Sequence, residues 1–221
     1  MTITRVDPVG SLAQLMREGS RADHEEAEAS GFITDLCSGR IPVSGYVAYL
    51  RGLEQAYAAL EDLGRRLADH PAGRAVVDPR LERGGRLADD LDHWAGPGWD
   101  QVPYADPAVT AYVRRLEGVD ADPLLLVAHH YTRYLGDLAG GQAVGRAVAR
   151  TYQPPAGRGL AFYDFADVGK PKPYRDAYRA RVDALGVSQA DAERVVDEVR
   201  YAFRLNRDMF TELGARFPPA A

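Results

Sequence analysis

Apolar residues recur along most of the chain at intervals of three and four positions, the spacing that places them on one face of an α-helix. No segment alternates apolar and polar residues over the length of a strand, and no Asn-Gly or Asp-Gly pair joins two β-branched runs. The pattern therefore predicts an all-α fold. Its helices are expected near residues 11–29, 43–69, 79–94, 107–117, 123–151, 171–185 and 188–214.

Several of the predicted helices begin at recognisable capping residues. Asp78, Asp106 and Asp122 each precede a proline. The aspartate can accept a hydrogen bond from a free backbone N–H, and proline suits the first helical position because its nitrogen carries no hydrogen. Ser188, with Asp191 three residues later, resembles a capping box.

The 221 residues, of which 46% are hydrophobic, suit one folded unit. We predict a single domain over residues 1–221, with residues 1–10 and 216–221 as flexible ends. The predicted loops are too short to link separate domains. They lie at residues 95–98, 118–121 and 153–159.

Composition indicates where the protein is located and which classes of partner it binds. A net charge of −5 argues against a nucleic-acid binder, and Cys37, as the sole cysteine, can form no internal disulfide. The N-terminal residues do not resemble a signal peptide, and apolar runs such as 124–128 are far shorter than a membrane span. We therefore expect a cytoplasmic protein that binds neither nucleic acid nor membrane, and we expect a monomer.

A histidine lies among charged residues on the first predicted helix. Arg17, Arg21, His24 and Glu28 are separated by four, three and four positions, so they share one helix face. A histidine there could bind a metal, with Glu28 orienting its ring, and the two arginines would suit a ligand that carries carboxylates. The same spacing is also typical of a solvated charged face, and these residues alone leave both interpretations open.

Four glycines fall within ten residues of the predicted helix 123–151, at Gly136, Gly140, Gly141 and Gly145. Each glycine inside a helix costs about 1 kcal/mol relative to alanine, so some compensating role is expected. The glycines could let another helix pack closely, or they could bend the helix and let a flat ligand approach its backbone. A phosphate-binding loop is excluded because neither glycine-rich phosphate motif is present.

Three of the four glycines, Gly136, Gly140 and Gly141, belong to a recognisable motif. Residues 131–142, Tyr-Thr-Arg-Tyr-Leu-Gly-Asp-Leu-Ala-Gly-Gly-Gln, closely resemble the distal-helix signature of heme oxygenases, with Ala139 where that family usually has serine. The resemblance extends over most of the chain. It includes the segments around His24 and at residues 56–61, 93–99, 160–163, 178–181 and 202–206.

The resemblance implies that heme is held between two helices. His24 matches the proximal ligand of the heme iron, and Glu28 matches the residue beside its ring. Gly136 and Gly140 match the backbone positions that contact heme from the distal side, where no side chain would crowd the oxygen.

The resemblance also implies roles for polar residues near the glycines. Asp137 matches a carboxylate that holds an ordered water network and supplies protons through it. Tyr57 and Arg133 match members of that network, although Tyr57 would equally suit core packing.

Further positions match the family's binding pocket. Arg17, Tyr131, Arg175 and Arg179 match positions that bind or border the heme propionates. Phe203 and Asn206 match pocket positions, and they could equally pack helices together. Lys170 and Lys172 receive no role.

The implied activity is oxidative opening of heme to biliverdin, ferrous iron and carbon monoxide, with heme as both substrate and cofactor. No flavin or nicotinamide motif is present, so electrons are expected from a separate donor such as ferredoxin or a ferredoxin/flavodoxin reductase. A basic rim around an exposed heme edge would suit an acidic donor.

Two alternatives are considered. A heme carrier or sensor could keep the pocket without turnover, although Asp137 and the glycines favour the enzyme. A di-iron or thiamine-degrading enzyme could use a related fold, but no Glu-x-x-His pair is present, and Asp90 with His93 is a single near match. No base accompanies Cys37 as a nucleophile.

Overall fold

Helices form all the regular structure between residues 10 and 219, the part of the chain that the computed structural model describes. The α-helices are α1 (Leu12–Gly19), α2 (Arg21–Glu28), α3 (Gly31–Cys37), α4 (Val43–Arg66), α5 (Pro71–Val76), α6 (Gly84–Trp94), α7 (Pro107–Glu117), α8 (Leu126–His130), α9 (Gln142–Tyr152), α10 (Pro171–Asp183) and α11 (Gln189–Arg216). Short 3₁₀ turns lie at Pro79–Leu81, Trp99–Gln101, Gly118–Ala121, Pro123–Leu125, Ala161–Tyr163 and Ala166–Val168. The predicted all-α class is confirmed.

The two longest helices, α4 and α11, form the centre of the molecule. Helix α4 packs against α6 and α7, and α11 packs against α2, α3, α7 and α8. Leucines at positions 50, 53, 60 and 63 of α4 are at most 2% exposed. Full burial of one such side chain contributes about 1.5 to 3 kcal/mol, so this face of α4 anchors the core.

The predicted helix at 11–29 is wrong as a single element, because Ser20 separates α1 from α2. The Ser20 side chain is buried, and its Oγ donates a 2.7 Å hydrogen bond to the carbonyl of Met16. A serine hydroxyl bonded to the carbonyl four residues earlier often bends a helix. The bend places Arg17 on α1 and the other residues of the charged face on α2.

Three of the four predicted capping residues are confirmed. The side chains of Asp106 and Ser188 accept hydrogen bonds from the backbone N–H of the third residue after each, and Asp78 caps a 3₁₀ turn. The prediction for Asp122 is wrong, because its side chain caps no helix and instead pairs with Arg194, 3.2 Å from Nε.

The predicted helix 123–151 is continuous over residues 126–152, although its middle is not regular α-helix, and it is called here the glycine helix. Between α8 and α9 the chain makes two π-helical turns, at Tyr131–Leu135 and Asp137–Gly141. Such wide turns are rare and occur frequently at functional sites. The first residues of the prediction, Pro123–Leu125, form a 3₁₀ turn.

The structure describes only part of each end of the chain. Residues 1–9 and 220–221 lie outside the described residues, so the prediction of flexible ends there stays a prediction. Phe217, just after α11, packs against the core and approaches Gly45. Within residues 10–219, no helix has the length and apolar character needed to cross a membrane.

A buried carboxylate on α11 makes stability depend on pH. Burial raises the pKa of Glu198, but hydrogen bonds from His129 and Arg115 outweigh burial and lower the pKa to about 2 from 4.5. Glu198 therefore stabilises the fold above pH 4.5, and the contribution of about 2 to 3 kcal/mol is lost as pH falls toward 2.

Glu198→Gln is expected to lower the free energy of unfolding at neutral pH, with the deficit shrinking between pH 4.5 and 2. Urea unfolding measured across this pH range tests the expectation. Glu193→Gln, on the same helix but exposed, serves as the control. A deficit for Glu198→Gln that stays constant down to pH 2 would contradict the ionic role.

Candidate active site

A cavity of about 650 Å³ lies between α2, the glycine helix, α10 and α11. A smaller cavity of about 180 Å³ adjoins it, and the two share His24, Gly136, Ala139 and Phe203; the larger is called here the outer cavity and the smaller the inner cavity. The outer cavity is bordered by arginines, and the inner cavity is bordered by aromatic residues together with Asp137. One continuous space therefore has a basic mouth and a largely apolar interior.

His24 lies on the α2 side of this space and lines both cavities. Its side chain is 46% exposed, and Nδ1 lies 3.4 Å from a carboxylate oxygen of Glu28. The ring meets Phe203 edge-on, with centroids 5.4 Å apart. Since Glu28 engages Nδ1, Nε2 is the nitrogen left for a ligand, and a carboxylate partner on the other nitrogen orients a ligating imidazole.

The opposite side of the space is bare backbone. A Cβ atom added at Gly136 or Gly140 would meet no heavy atom within 4 Å. No other helix therefore packs against these two glycines, and the close-packing explanation is wrong for them. A flat ligand in the cavity could approach this backbone directly.

The other two of the four glycines, Gly141 and Gly145, have different surroundings. A Cβ at Gly145 would lie 2.8 Å from Cγ of Tyr163, too close for any side chain, and one at Gly141 would lie 3.9 Å from the same ring. Gly145 therefore lets the Tyr163 ring pack against the glycine helix. Close packing therefore explains Gly145, whereas a Cβ at Gly141 would make only ordinary contacts.

Gly136→Leu is expected to fold at least as stably as the wild-type protein and to lose most of its affinity for a flat ligand in the cavity. The new side chain enters open space, and a residue other than glycine favours the helix by up to about 1 kcal/mol. Thermal unfolding and hemin titration of the same preparation measure both effects. Gly85→Leu, also open to solvent but outside the cavity, is the control; unchanged hemin affinity in Gly136→Leu would contradict the assignment of this wall.

Asp137 lies at the inner cavity in a hydrogen-bonded cluster. The hydroxyl of Tyr57 donates to Oδ2 of Asp137. Burial raises the pKa of Asp137 above its ordinary value, while the charge of Arg133 and the Tyr57 hydroxyl act in the opposite direction. A carboxyl group that holds its proton more readily can exchange it with water in the cavity.

Arg133 supports this cluster from the side. Its Nη1 donates a 2.5 Å hydrogen bond to Oδ1 of Asn206, and its guanidinium carbon lies 4.8 Å from the centre of the Tyr57 ring. Its buried Nε has no hydrogen-bond partner among the described residues. A water molecule is the ordinary partner for such a group, which fits a hydrated cluster.

Tyr57 combines the two roles that its sequence left open. Its ring is fully buried and meets Tyr134 and Phe162 edge-on, at 5.4 and 5.6 Å between centroids. Tyr57 lines neither cavity, and only its hydroxyl reaches Asp137. Its ring is a packing residue, and its hydroxyl belongs to the polar cluster.

The mouth of the outer cavity gathers the basic residues that the sequence predicted. Arg17, Arg175 and Arg179 line it together with Tyr131. Arg179 also pairs with Asp176 at 3.1 Å, and Nε of Arg175 is buried without a partner among the described residues. Guanidinium groups in this arrangement can bind carboxylates through paired hydrogen bonds.

All the residues predicted for the site therefore lie at the two cavities or in contact with Asp137. The lysines that received no role line neither cavity, and Lys172 pairs with Asp176. Sequence reasoning missed Phe210, although Phe203, Asn206 and Phe210 share one face of α11 at helical spacing. It also missed Phe162 and Tyr163, which reach the inner cavity from an irregular segment without periodicity.

Comparisons with known proteins agree on one family. A family model described as heme oxygenase matches residues 10–212. Heme oxygenase 1 of Synechocystis is 39% identical over 204 residues, covering 92% of this chain and 85% of the relative. Human heme oxygenase 1 is 36% identical over 205 residues, covering 91% and 71%.

Solved structures give the same result at the level of the fold. Heme oxygenase-2 from Synechocystis, in complex with heme and NO, superposes with a TM-score of 0.90 at 34% identity, covering 93% of this chain and 86% of that one. Heme oxygenase-1 from the same cyanobacterium, in complex with heme, gives 0.89 at 38% identity and covers 93% of each chain. The residues that the family model matches, 10–212, include both walls of the cavity.

Proposed function

The chain belongs to the heme oxygenase family, and we propose that the space between α2 and the glycine helix is where it binds heme. The protein is an enzyme that opens heme with dioxygen to biliverdin, ferrous iron and carbon monoxide, so heme is its substrate as well as its cofactor. The observation that carries the assignment is that one imidazole faces a bare glycine wall across a single cavity.

The residues present suit a heme molecule in shape and charge. His24 offers one nitrogen to the iron, and Glu28 fixes the ring through the other. Gly136 and Gly140 leave room for a flat ring system beside the backbone. The basic mouth then receives the two propionates, with Arg17, Arg175, Arg179 and Tyr131 as the groups that bind or border them.

Bound heme supplies the iron at which dioxygen is activated, and the protein supplies position and protons. Asp137 holds a proton on its carboxyl group and passes it to the reaction through water. Tyr57 and Arg133 keep that carboxyl group in place. The bare backbone at Gly136 and Gly140 would leave room for dioxygen beside bound heme, with no side chain in the way.

The pocket is completed from α11. Phe203 holds the His24 ring edge-on, and Asn206 accepts the hydrogen bond that fixes Arg133. Phe203 therefore acts on the proximal side, whereas Asn206 acts on the polar cluster.

We also propose an electron donor and a cellular location for the protein. The basic mouth favours an acidic redox protein, either ferredoxin or a ferredoxin/flavodoxin reductase, docking near the exposed edge of heme. Cys37 alone offers no internal disulfide, which supports the cytoplasm. We propose that the protein acts there as a monomer.

A product assay tests the enzymatic function against that of a heme carrier or sensor. Hemin is added to the purified protein, followed by a reductant with catalase present to remove peroxide. We expect the Soret band to disappear while biliverdin absorbance grows. A reduced complex whose Soret band persists in air for many minutes would contradict turnover and support the carrier.

The donor proposal has a separate test. A reduced acidic ferredoxin should support turnover at a rate that falls steeply with rising salt, because exposed charges attract each other less at high ionic strength. Arg179→Glu should weaken this dependence, and Arg114→Glu, which is exposed on α7 and outside the cavity, is the control. A turnover rate independent of salt in the wild-type enzyme would contradict electrostatic docking.

A further inference from the structure

The segment of residues 159–165, called here the cavity loop, forms part of the inner wall. It brings Phe162 and Tyr163 to the inner cavity beside Asp137. The Phe162 ring meets Tyr57 edge-on, and the Tyr163 ring lies against Gly145 of the glycine helix. The position of the loop therefore sets the shape of the space around Asp137.

A buried carboxylate on α6 holds this loop by its backbone. Asp90 is 0% exposed, and its two oxygens accept hydrogen bonds from the N–H groups of Ala161 and Phe162, at 2.7 and 2.9 Å. Among the described residues it forms no ion pair. Asp90 lines neither cavity, so it can affect the site only through the cavity loop.

A buried arginine holds the same loop by its carbonyl groups. Arg83 is 1% exposed, and its Nη1 donates to the carbonyls of Asp164 and Phe162, at 2.5 and 3.4 Å. Its guanidinium carbon lies 4.0 Å from the centre of the Phe165 ring. Within the described part of the chain no carboxylate pairs with it.

Burying these two charges costs free energy that apolar side chains would avoid. Buried charged groups are frequently replaced by apolar residues of similar volume without loss of stability. Asp90 and Arg83 instead make four directed hydrogen bonds to one short segment. Directed bonds fix position more narrowly than apolar packing does, which indicates that the position of this loop matters.

We propose that Asp90 and Arg83 are positioning residues for the heme reaction, acting through the cavity loop to hold Phe162 and Tyr163 around Asp137. This inference rests on the proposed function of the cavity. The wall they hold determines where water can lie near Asp137 and how far the bound ring can shift. The position of that water affects proton delivery, and the shift of the ring affects which porphyrin carbon is attacked.

The test compares Asp90→Asn and Arg83→Lys with matched exposed controls, Asp89→Asn on α6 and Arg114→Lys on α7. Three quantities are measured: hemin affinity, kcat with the isomer composition of biliverdin, and amide hydrogen exchange of the heme-free protein. Exchange is followed at residues 159–165 and 136–145. The amide exchange is measured without heme, so it reports on the mobility of the loop independently of the activity.

We expect Asp90→Asn and Arg83→Lys to bind hemin within about twofold of wild type, because neither residue lines the cavities. Their kcat should fall on the order of tenfold, since small displacements far from the reacting atoms have effects of that size. The isomer composition should broaden, and exchange should quicken in the loop and the glycine helix. Both controls should match wild type in every measurement.

The contrary results are distinct. Variants that unfold at lower temperature but keep kcat and isomer composition would overturn the positioning role and leave only a structural one. Failure of both variants to fold would overturn it in the same way. If the wild-type protein forms no biliverdin, the proposed function fails instead, and the exchange data still show whether Asp90 and Arg83 hold the loop.

Discussion

The His24→Ala variant is expected to fold normally and to lose biliverdin formation by on the order of 100-fold, about 2.7 kcal/mol in the barrier. The imidazole is half exposed and its aromatic contact with the core is limited to the edge of Phe203, so its removal should leave the helix intact. The variant has no side chain to hold the iron from the α2 side. Hemin absorption spectra and single-turnover biliverdin yield measure the two effects.

Two controls separate loss of the ligand from general damage. His93→Ala removes a partly exposed histidine outside the cavities and should leave the heme spectrum unchanged. Free imidazole added to His24→Ala should restore part of the spectrum and the activity, because it can occupy the emptied space. A heme spectrum of His24→Ala identical to wild type would contradict the assignment of the iron ligand.

The second large effect is expected at Asp137. Asp137→Ala should bind hemin nearly as well as wild type and form biliverdin on the order of 100-fold more slowly, since positioned proton donors contribute effects of this size. The Tyr57 hydroxyl would lose its described acceptor, so stability should also fall by about 1 to 3 kcal/mol. Single-turnover kinetics and urea unfolding measure these changes.

The pH dependence gives this prediction a sharper form. Because burial raises the pKa of Asp137, its carboxyl group keeps a proton above its ordinary range and loses it as pH rises further. In the wild-type enzyme the rate of biliverdin formation should therefore fall as rising pH removes the proton from Asp137. The Asp137→Asn variant, which should be slow throughout, should lack this pH dependence. Tyr57→Phe should show a smaller loss of rate. A normal biliverdin yield from Asp137→Ala would contradict the proton-supply role.

The hydrophobic pattern predicted the long helices well, for a physical reason. Helices α4 and α11 bury one face against many neighbours, so their apolar spacing is sustained over many turns. Helices α3 and α5 span only seven and six residues, too few to display a periodicity. The bend at Ser20 arises from one hydroxyl bonded to the backbone, which apolar spacing does not encode.

The role of each glycine could not be predicted from the sequence alone. Periodicity could not choose between close packing and ligand approach, because the choice depends on what surrounds each Cβ position. The structure divides the four glycines, with open space at Gly136 and Gly140 and a packed tyrosine at Gly145. The family resemblance identified the two cavity glycines, but the packing role of Gly145 is visible only in the structure.

Contacts between distant segments were the least predictable part of the site. Arg133 and Asn206 are 73 residues apart, and Asp90 and Phe162 are 72 apart. Neither pair leaves a local signal, because each contact exists only once the helices have packed. The resemblance supplied Arg133 and Asn206 as separate positions, and the structure supplies their hydrogen bond.

A crystal structure of the protein with hemin tests the central claim most directly, with iron located by its anomalous scattering. The expected result is iron bonded to a ring nitrogen of His24, the porphyrin lying along Gly136 and Gly140, and the propionates at the arginines of the mouth. Iron ligated by any other residue, or heme bound outside the cavity between α2 and the glycine helix, would contradict it.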